Sequence, residues 1–115
     1  MNTELIDWPG FKALHGNESL FHLVAPRLRS VVDEFITRWS WGVTGQSRAL
    51  AEDLHRLRGA CGAMSVPAVV KLVQEAERAI GQQDYCLLEE KMRLLLEGLS
   101  ILSEYLGATG YTLGE

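Results

Sequence analysis

The sequence has few cysteines, no segment that resembles a signal peptide and no long apolar run. Its two cysteines, Cys61 and Cys86, do not have CxxC spacing. Residues 1–4 lack the basic region and the following apolar region of a secretory signal, so both cysteines are predicted to be reduced core residues of a cytosolic protein. The apolar runs are far shorter than a membrane span. We therefore expect a soluble, cytoplasmic chain without direct membrane contact.

An excess of basic residues is also missing. Eleven basic residues stand against fifteen acidic ones, which gives a net charge of -4 and a pI near 5.4. A general nucleic-acid-binding protein needs a large basic surplus, so that class of function is excluded. The 115 residues, 47% of them hydrophobic and 23% charged, suit one folded domain. We expect this domain to span residues 1–115, with an ordered core over about 6–106 and a frayed glycine-containing tail over 107–115.

Four segments of the chain carry apolar residues at helical spacing, and the period-two alternation of strands is absent. The first, residues 18–39, has Asn17 as its predicted N-cap and contains Pro26, which is expected to kink or divide it. The others are residues 47–64, a segment that opens at Pro67, and a segment capped by Asp84. The predicted buried stripes are Leu20, Val24, Leu28, Val31, Phe35 and Trp39; Leu50, Leu54, Leu57, Cys61 and Met64; Val69, Val73, Ala76 and Ile80; and Leu88, Met92, Leu95, Leu99, Leu102 and Leu106.

These segments predict an all-α fold, an antiparallel up-and-down four-helix bundle. Residues 6–11 are apolar but too few for a bundle helix, so they are expected to form a turn or short helix that covers one end of the core. Trp39 and Trp41 fall at the loop after the first long helix. They either cover the core or belong to a partner surface.

The second helix has an unusual solvent face. At about 100° per residue, His55 lies opposite the apolar stripe. The residues that share its face are Arg48, Ala51, Glu52, Arg58, Gly59 and Gly62. Each glycine costs a helix about 0.8–1.0 kcal/mol relative to alanine. Their absent side chains would let another protein approach the imidazole closely.

This face permits phosphoryl chemistry. A neutral imidazole nitrogen is a competent nucleophile, and Arg58, one turn from His55, could neutralise the charge of an attached phosphoryl group. Two plainer interpretations remain open. A single exposed histidine is usually a solvated surface residue, and Gly59 and Gly62 could instead admit a neighbouring helix.

His55 and the ten residues after it resemble the signature of histidine-containing phosphotransfer (HPt) domains. In that signature the histidine is followed by leucine, lysine and glycine at the second to fourth positions, and often by a later glycine, an aliphatic residue and a final glycine. The matching residues are Leu57, Gly59, Gly62 and Met64, while Arg58 replaces the lysine and Ser65 the final glycine. Val69 and Glu77 fall where the family usually has leucine and glutamate in the next helix. With residues 16–21 and 79–84, the resemblance covers about residues 6–106.

The resemblance implies a phosphorelay role without autokinase activity, nucleotide binding or a cofactor. His55 would accept a phosphoryl group from a receiver-domain aspartate and pass it to another receiver, with Mg2+ on the receiver. Arg58 would stabilise the phosphoryl charge, Gly59 and Gly62 would give access, and Arg48, Ala51 and Glu52 could form a docking rim. Partners would be response-regulator receiver domains and a hybrid sensor kinase. The alternative is a docking module that binds such partners without carrying phosphate.

A metal site and a hydrolase site find no support in the sequence. Three histidines and two cysteines are scattered without metal-ligand spacing. The Glu-x-x-His pair of Glu52 and His55 occurs once, where a bundle metal site needs two. His15 and His22 are expected at the surface or its boundary, and no Ser or Cys nucleophile accompanies a base in a known signature.

Overall fold

The protein is all-helical over the part of the chain that a computed structural model describes, residues 6–42 and 46–108. Within these ranges there are five α-helices, one short 3-10 turn and no strand. The helices are α1 (Trp8–His15), α2 (Phe21–Trp39), α3 (Ser47–Ala63), α4 (Pro67–Gly81) and α5 (Tyr85–Ala108), with the 3-10 turn at Glu18–Leu20. None of the described helices combines the length and the apolar composition that crossing a membrane requires. The predicted all-α class is confirmed.

The four long helices enclose one hydrophobic core. α3 packs against α2 and α4, and α5 packs against α4 and α2, so the four contacts close a ring. The connections between consecutive helices of this ring are short, as in bundles whose neighbouring helices run antiparallel. The up-and-down order itself stays a prediction.

The apolar seams of α3 and α5 are buried as predicted. Every residue of the two stripes is at most 5% exposed, so steps of three and four residues identified the core face of each helix. The α5 segment begins where expected, because Asp84 Oδ1 accepts a hydrogen bond from the Leu87 backbone N–H at 3.1 Å. Pro67 opens α4. Along α4 the predicted stripe is buried except at Ile80, which is half-buried.

The stripe predicted for α2 is wrong at three positions. Leu20 is 38% exposed, and Val24 and Val31 are half-buried, whereas the buried residues of this part are Phe21, Ala25, Leu28, Val32, Phe35 and Trp39. The buried stripe of this segment starts at Phe21 and not at Leu20, because α1 covers the Phe21 ring. The Trp8 ring packs edge-on against it, with 4.8 Å between the ring centroids.

Pro26 does not divide the first segment, so that part of the expectation is wrong, while the kink stays a prediction. α2 continues through it, and the break in regular structure lies earlier, at the 3-10 turn. Asn17 caps this turn, since its Oδ1 accepts a hydrogen bond from the Ser19 N–H at 2.9 Å. Pro26 lies one turn inside α2 on the exposed side, where its missing N–H removes a single helical hydrogen bond.

The predicted N-terminal cover is the helix α1. Phe11 of this helix and Ile6, which precedes it, are buried in the core. The Asp7 N–H donates to the Ser65 carbonyl at 2.7 Å, and His15 Nε2 donates to the Ala63 carbonyl at 2.8 Å. α1 therefore covers the end of the core at which α3 ends. Gly107 and Ala108, the first two residues of the predicted tail, belong to α5. The rest of that tail, residues 109–115, lies outside the described residues.

A buried carboxylate joins α2 to α3. Asp53 is 7% exposed, and its Oδ2 accepts hydrogen bonds from Trp39 Nε1 at 2.9 Å and from Arg38 Nη1 at 2.8 Å. Arg56 Nη1 donates to Oδ1 at 3.2 Å. The two tryptophans thus differ: Trp39 is a core residue, while Trp41 is 92% exposed.

Replacing Asp53 should weaken the fold through the buried indole N–H. In Asp53→Ala, Trp39 Nε1 loses its acceptor, which costs about 1–3 kcal/mol of unfolding free energy. Asp53→Asn keeps an acceptor oxygen and should cost less. Urea unfolding measures both, with the exposed neighbour Glu52→Ala as a control expected to change stability by less than about 0.5 kcal/mol. Equal losses for Asp53→Ala and Glu52→Ala would contradict this role.

Candidate functional site

The face of α3 that points away from the core has the arrangement that the helical wheel predicted. His55 is exposed at its centre. Around it, Arg48, Glu52, Gly59 and Gly62 are exposed, and Ala51 and Arg58 are half-buried. The buried seam of Leu50, Leu54, Leu57 and Cys61 occupies the opposite side of the helix. The fold therefore presents the imidazole to solvent from a rigid element.

The two glycines of this face have no packing role within residues 6–42 and 46–108. A Cβ built on Gly59 or Gly62 has no heavy atom of the described residues within 4 Å, apart from the neighbouring backbone of α3. The interpretation that they admit a neighbouring helix is therefore wrong. What they provide is an open surface beside His55, at the cost in helix propensity that two glycines carry.

Arg58 connects the histidine to α4. Its Nε donates to Glu77 Oε1 at 2.9 Å, and its Nη2 lies 3.1 Å from His55 Nδ1. The Arg58 side chain is 37% exposed and that of Glu77 is 25% exposed, so the ion pair is partly shielded from water. The guanidinium is thereby held against the ring, where a forked cation could also meet the oxygens of a phosphoryl group.

The end of α3 is a tight turn. Ser65 has a φ of 58°, a left-handed conformation that favours glycine, which is the residue the resemblance expected there. The Ser65 N–H donates to the Gly62 carbonyl at 3.1 Å and the Val66 N–H to the Cys61 carbonyl at 3.0 Å. These two bonds form a Schellman motif, which ends α3 at this position.

An apolar hollow beside this face was not predicted from the sequence. It lies between α2 and α3 and is lined by His15, Val24, Arg27, Leu28, Val31, Ala60, Ala63 and Met64. Val24 and Val31 are half-buried because they line it. Their apolar character on the first stripe was a signal for the hollow, although the pattern alone assigned both residues to the core.

The other candidate ligands and nucleophiles do not gather into a site. Among the described residues, no three His, Cys, Asp or Glu side chains are placed to hold a metal ion. Burial raises the pKa of the Cys61 thiol to about 12, so it stays protonated. Cys86 is exposed at the start of α5, so the prediction that it is a core residue is wrong. His15 is half-buried against Phe11, and His22 is exposed.

The comparison with family models decides the family. The model described as Hpt domain matches residues 21–105, which include α2 to α4 and most of α5. The chain belongs to the Hpt domain family. Neither the comparison with curated proteins nor that with solved structures gives a match. Hpt domains carry phosphoryl groups in two-component signalling, where they interact with receiver domains and kinases. The match begins after α1, so the covering helix lies outside the Hpt region.

Because Gly59 has open space and a helical conformation, Gly59→Ala should stabilise this Hpt domain by about 0.8–1.0 kcal/mol. Gly16 is the matched opposite case. A Cβ there also meets nothing within 4 Å, but its φ is +81°. Gly16→Ala should therefore destabilise the protein by about 1 kcal/mol. Thermal and urea unfolding measure both changes, and a loss of stability in Gly59→Ala would mean that this face packs against something.

Proposed function

We propose that this Hpt domain is a phosphorelay intermediate that accepts a phosphoryl group on His55 from a receiver aspartate and passes it to another receiver. The observation that carries the proposal is the exposed imidazole with Arg58 beside it and bare glycine surface one and two turns away. A solvated histidine without function would need neither the glycines nor the held guanidinium.

The chemistry requires little of this chain beyond position and charge. An unprotonated imidazole nitrogen attacks phosphorus as the phosphorus–oxygen bond to the aspartate breaks, and the carboxylate leaves with the bonding electron pair. The ring proton passes to water. The Arg58 guanidinium would bind the phosphoryl oxygens and neutralise the charge of the phosphohistidine. Mg2+ and the groups that activate the aspartyl phosphate would belong to the receiver, so this chain would be a phosphoryl carrier without autokinase activity.

The partner surface would surround His55 on α3. Gly59 and Gly62 let a receiver approach the ring, and Arg48, Ala51 and Glu52 lie on the same face toward the start of α3 as a docking rim. The hollow between α2 and α3 adds apolar surface beside the glycines. A cytoplasmic receiver domain, either free or within a hybrid sensor kinase, would be the partner.

Phosphoryl acceptance should depend on His55 alone among the three histidines. With a set of radiolabelled receiver aspartyl phosphates as donors, label on the wild type should be stable to alkali and lost in acid. His55→Gln should take no label yet unfold at nearly the same temperature, because the side chain points to water. His22→Gln, on the exposed side of α2, is the matched control and should be labelled like the wild type.

Two other outcomes have distinct meanings. Stable complexes with a receiver but no label from any donor would favour the docking module that carries no phosphate. A large loss of stability in His55→Gln would instead place the ring in the packed interior.

A larger side chain at position 59 tests whether Gly59 gives a receiver access to His55. Gly59→Gln replaces a poor helix former with a better one, so the protein should become slightly more stable. Its side chain would project beside His55 and obstruct the receiver, so the transfer rate should fall. Gly59→Ala, with a single methyl group, should slow transfer less. Unchanged transfer kinetics in Gly59→Gln would contradict the role of this glycine in access.

A further inference from the structure

A groove between α2 and α3 lies next to the face that carries His55 and changes character along its length. At one end it is the apolar hollow, whose walls include Val31 and Ala60. Val31 also lines a second, narrower cavity, which lies toward the end of α2 and whose lining includes Arg38 and Arg56. The two openings therefore adjoin at Val31, and the groove is apolar at one end and cationic at the other.

The cationic end is held in place by a buried carboxylate. Arg38 Nη1 donates to Asp53 Oδ2 at 2.8 Å, and Arg56 Nη1 donates to Asp53 Oδ1 at 3.2 Å. The two arginine side chains are 52% and 66% exposed, whereas that of Asp53 is 9% exposed. Each guanidinium thus gives one nitrogen to Asp53, and much of each arginine side chain stays in solvent. Since a guanidinium has five N–H donors, each keeps donors for an acceptor on another molecule.

The charges of the four long helices are divided unevenly. α2 and α3 together carry six arginines against four carboxylates, whereas α4 and α5 carry four basic residues against six carboxylates. At the groove itself, the charged residues are Arg27, Arg38, Arg56, Glu34 and Asp53. Asp53 is buried, so the charge that a partner meets there is mainly positive. Such a surface attracts an acidic partner to this side of a chain whose net charge is -4.

We propose that Arg38 and Arg56, the arginine pair, are specificity-determining residues that bind a carboxylate of the receiver partner while the hollow takes apolar side chains beside it. The partner surface that fits is one in which an acidic residue lies next to an apolar patch. The inference rests on the proposed function for the identity of the partner as a receiver. Among the described residues neither arginine is bonded to His55, so the pair would act on docking and not on the transfer step.

Docking can be measured apart from phosphotransfer in the His55→Gln background, which keeps the surface but cannot accept the phosphoryl group. The probe is each unphosphorylated receiver of the donor set, and titration calorimetry gives the dissociation constant. Arg38→Gln and Arg56→Gln should each raise that constant about two- to fivefold, the range of a solvent-exposed ion pair. Each single variant leaves Asp53 one arginine and the Trp39 indole as partners, so the fold should be retained, which the melting temperature checks.

Ionic strength separates a charge effect from a structural one. Salt screens the attraction between exposed charges, so the affinity of His55→Gln for a receiver should fall as sodium chloride is added, and it should fall less steeply in either arginine variant. A variant that only loosened the fold would bind more weakly at every salt concentration, with an unchanged dependence on salt. Arg93→Gln is the matched control, since it removes an exposed arginine of α5, paired with Glu97 at 3.5 Å, and should change neither the affinity nor its salt dependence.

Equal dissociation constants and equal salt dependences for Arg38→Gln, Arg56→Gln and Arg93→Gln would overturn the arginine pair as a docking site, even if the wild type takes label on His55. Complexes that depend on the pair, formed by a chain that takes no label from any receiver, would instead contradict the relay role and leave the docking site intact. A chain that binds no receiver would contradict both.

Discussion

The rotation of α3 about its own axis is the constraint on which the candidate site depends. Burial of its leucine seam turns one side of the helix to the core and His55 to solvent. At about 100° per residue, a slip of one position would turn the imidazole away from the exposed centre of this face. Asp53 reinforces the rotation, since its bonds to Trp39 and Arg38 tie the core side of α3 to α2.

The exposed face weakens the helix that carries it, so the stability of the domain has to come from elsewhere. A Cβ at Gly59 or Gly62 would meet no packed neighbour among the described residues, and Ser65 occupies a left-handed conformation that a glycine would adopt more easily. The long buried seam of α5 and the aromatic packing of α1 over Phe21 contribute stability that offsets this loss of helix propensity. A helix supported on its core side can tolerate glycine on its partner side, because tertiary packing outweighs local propensity.

The sequence predicts the parts of this structure that follow from periodicity. The seams of α3 and α5 and the exposure of His55 were predictable because each of these helices has one apolar stripe. The stripe of α2 was not, since hydrophobicity cannot distinguish Phe21, covered by α1, from Val24 and Val31, which line a hollow. The contact of Arg58 with Glu77 joins residues on different helices. Periodicity contains no information on such a pair, although the family resemblance had marked Glu77.

Arginine at position 58 is the point at which this chain departs from the family signature beside the histidine. The family signature has a lysine there, which presents a single charged nitrogen on a flexible stem. The guanidinium presents several N–H groups in one plane, so Arg58 reaches the Glu77 carboxylate and the His55 ring at the same time. The same fork matches the oxygens of a phosphoryl group in charge and geometry. A phosphoryl group on His55 would therefore meet a cation whose direction Glu77 already limits.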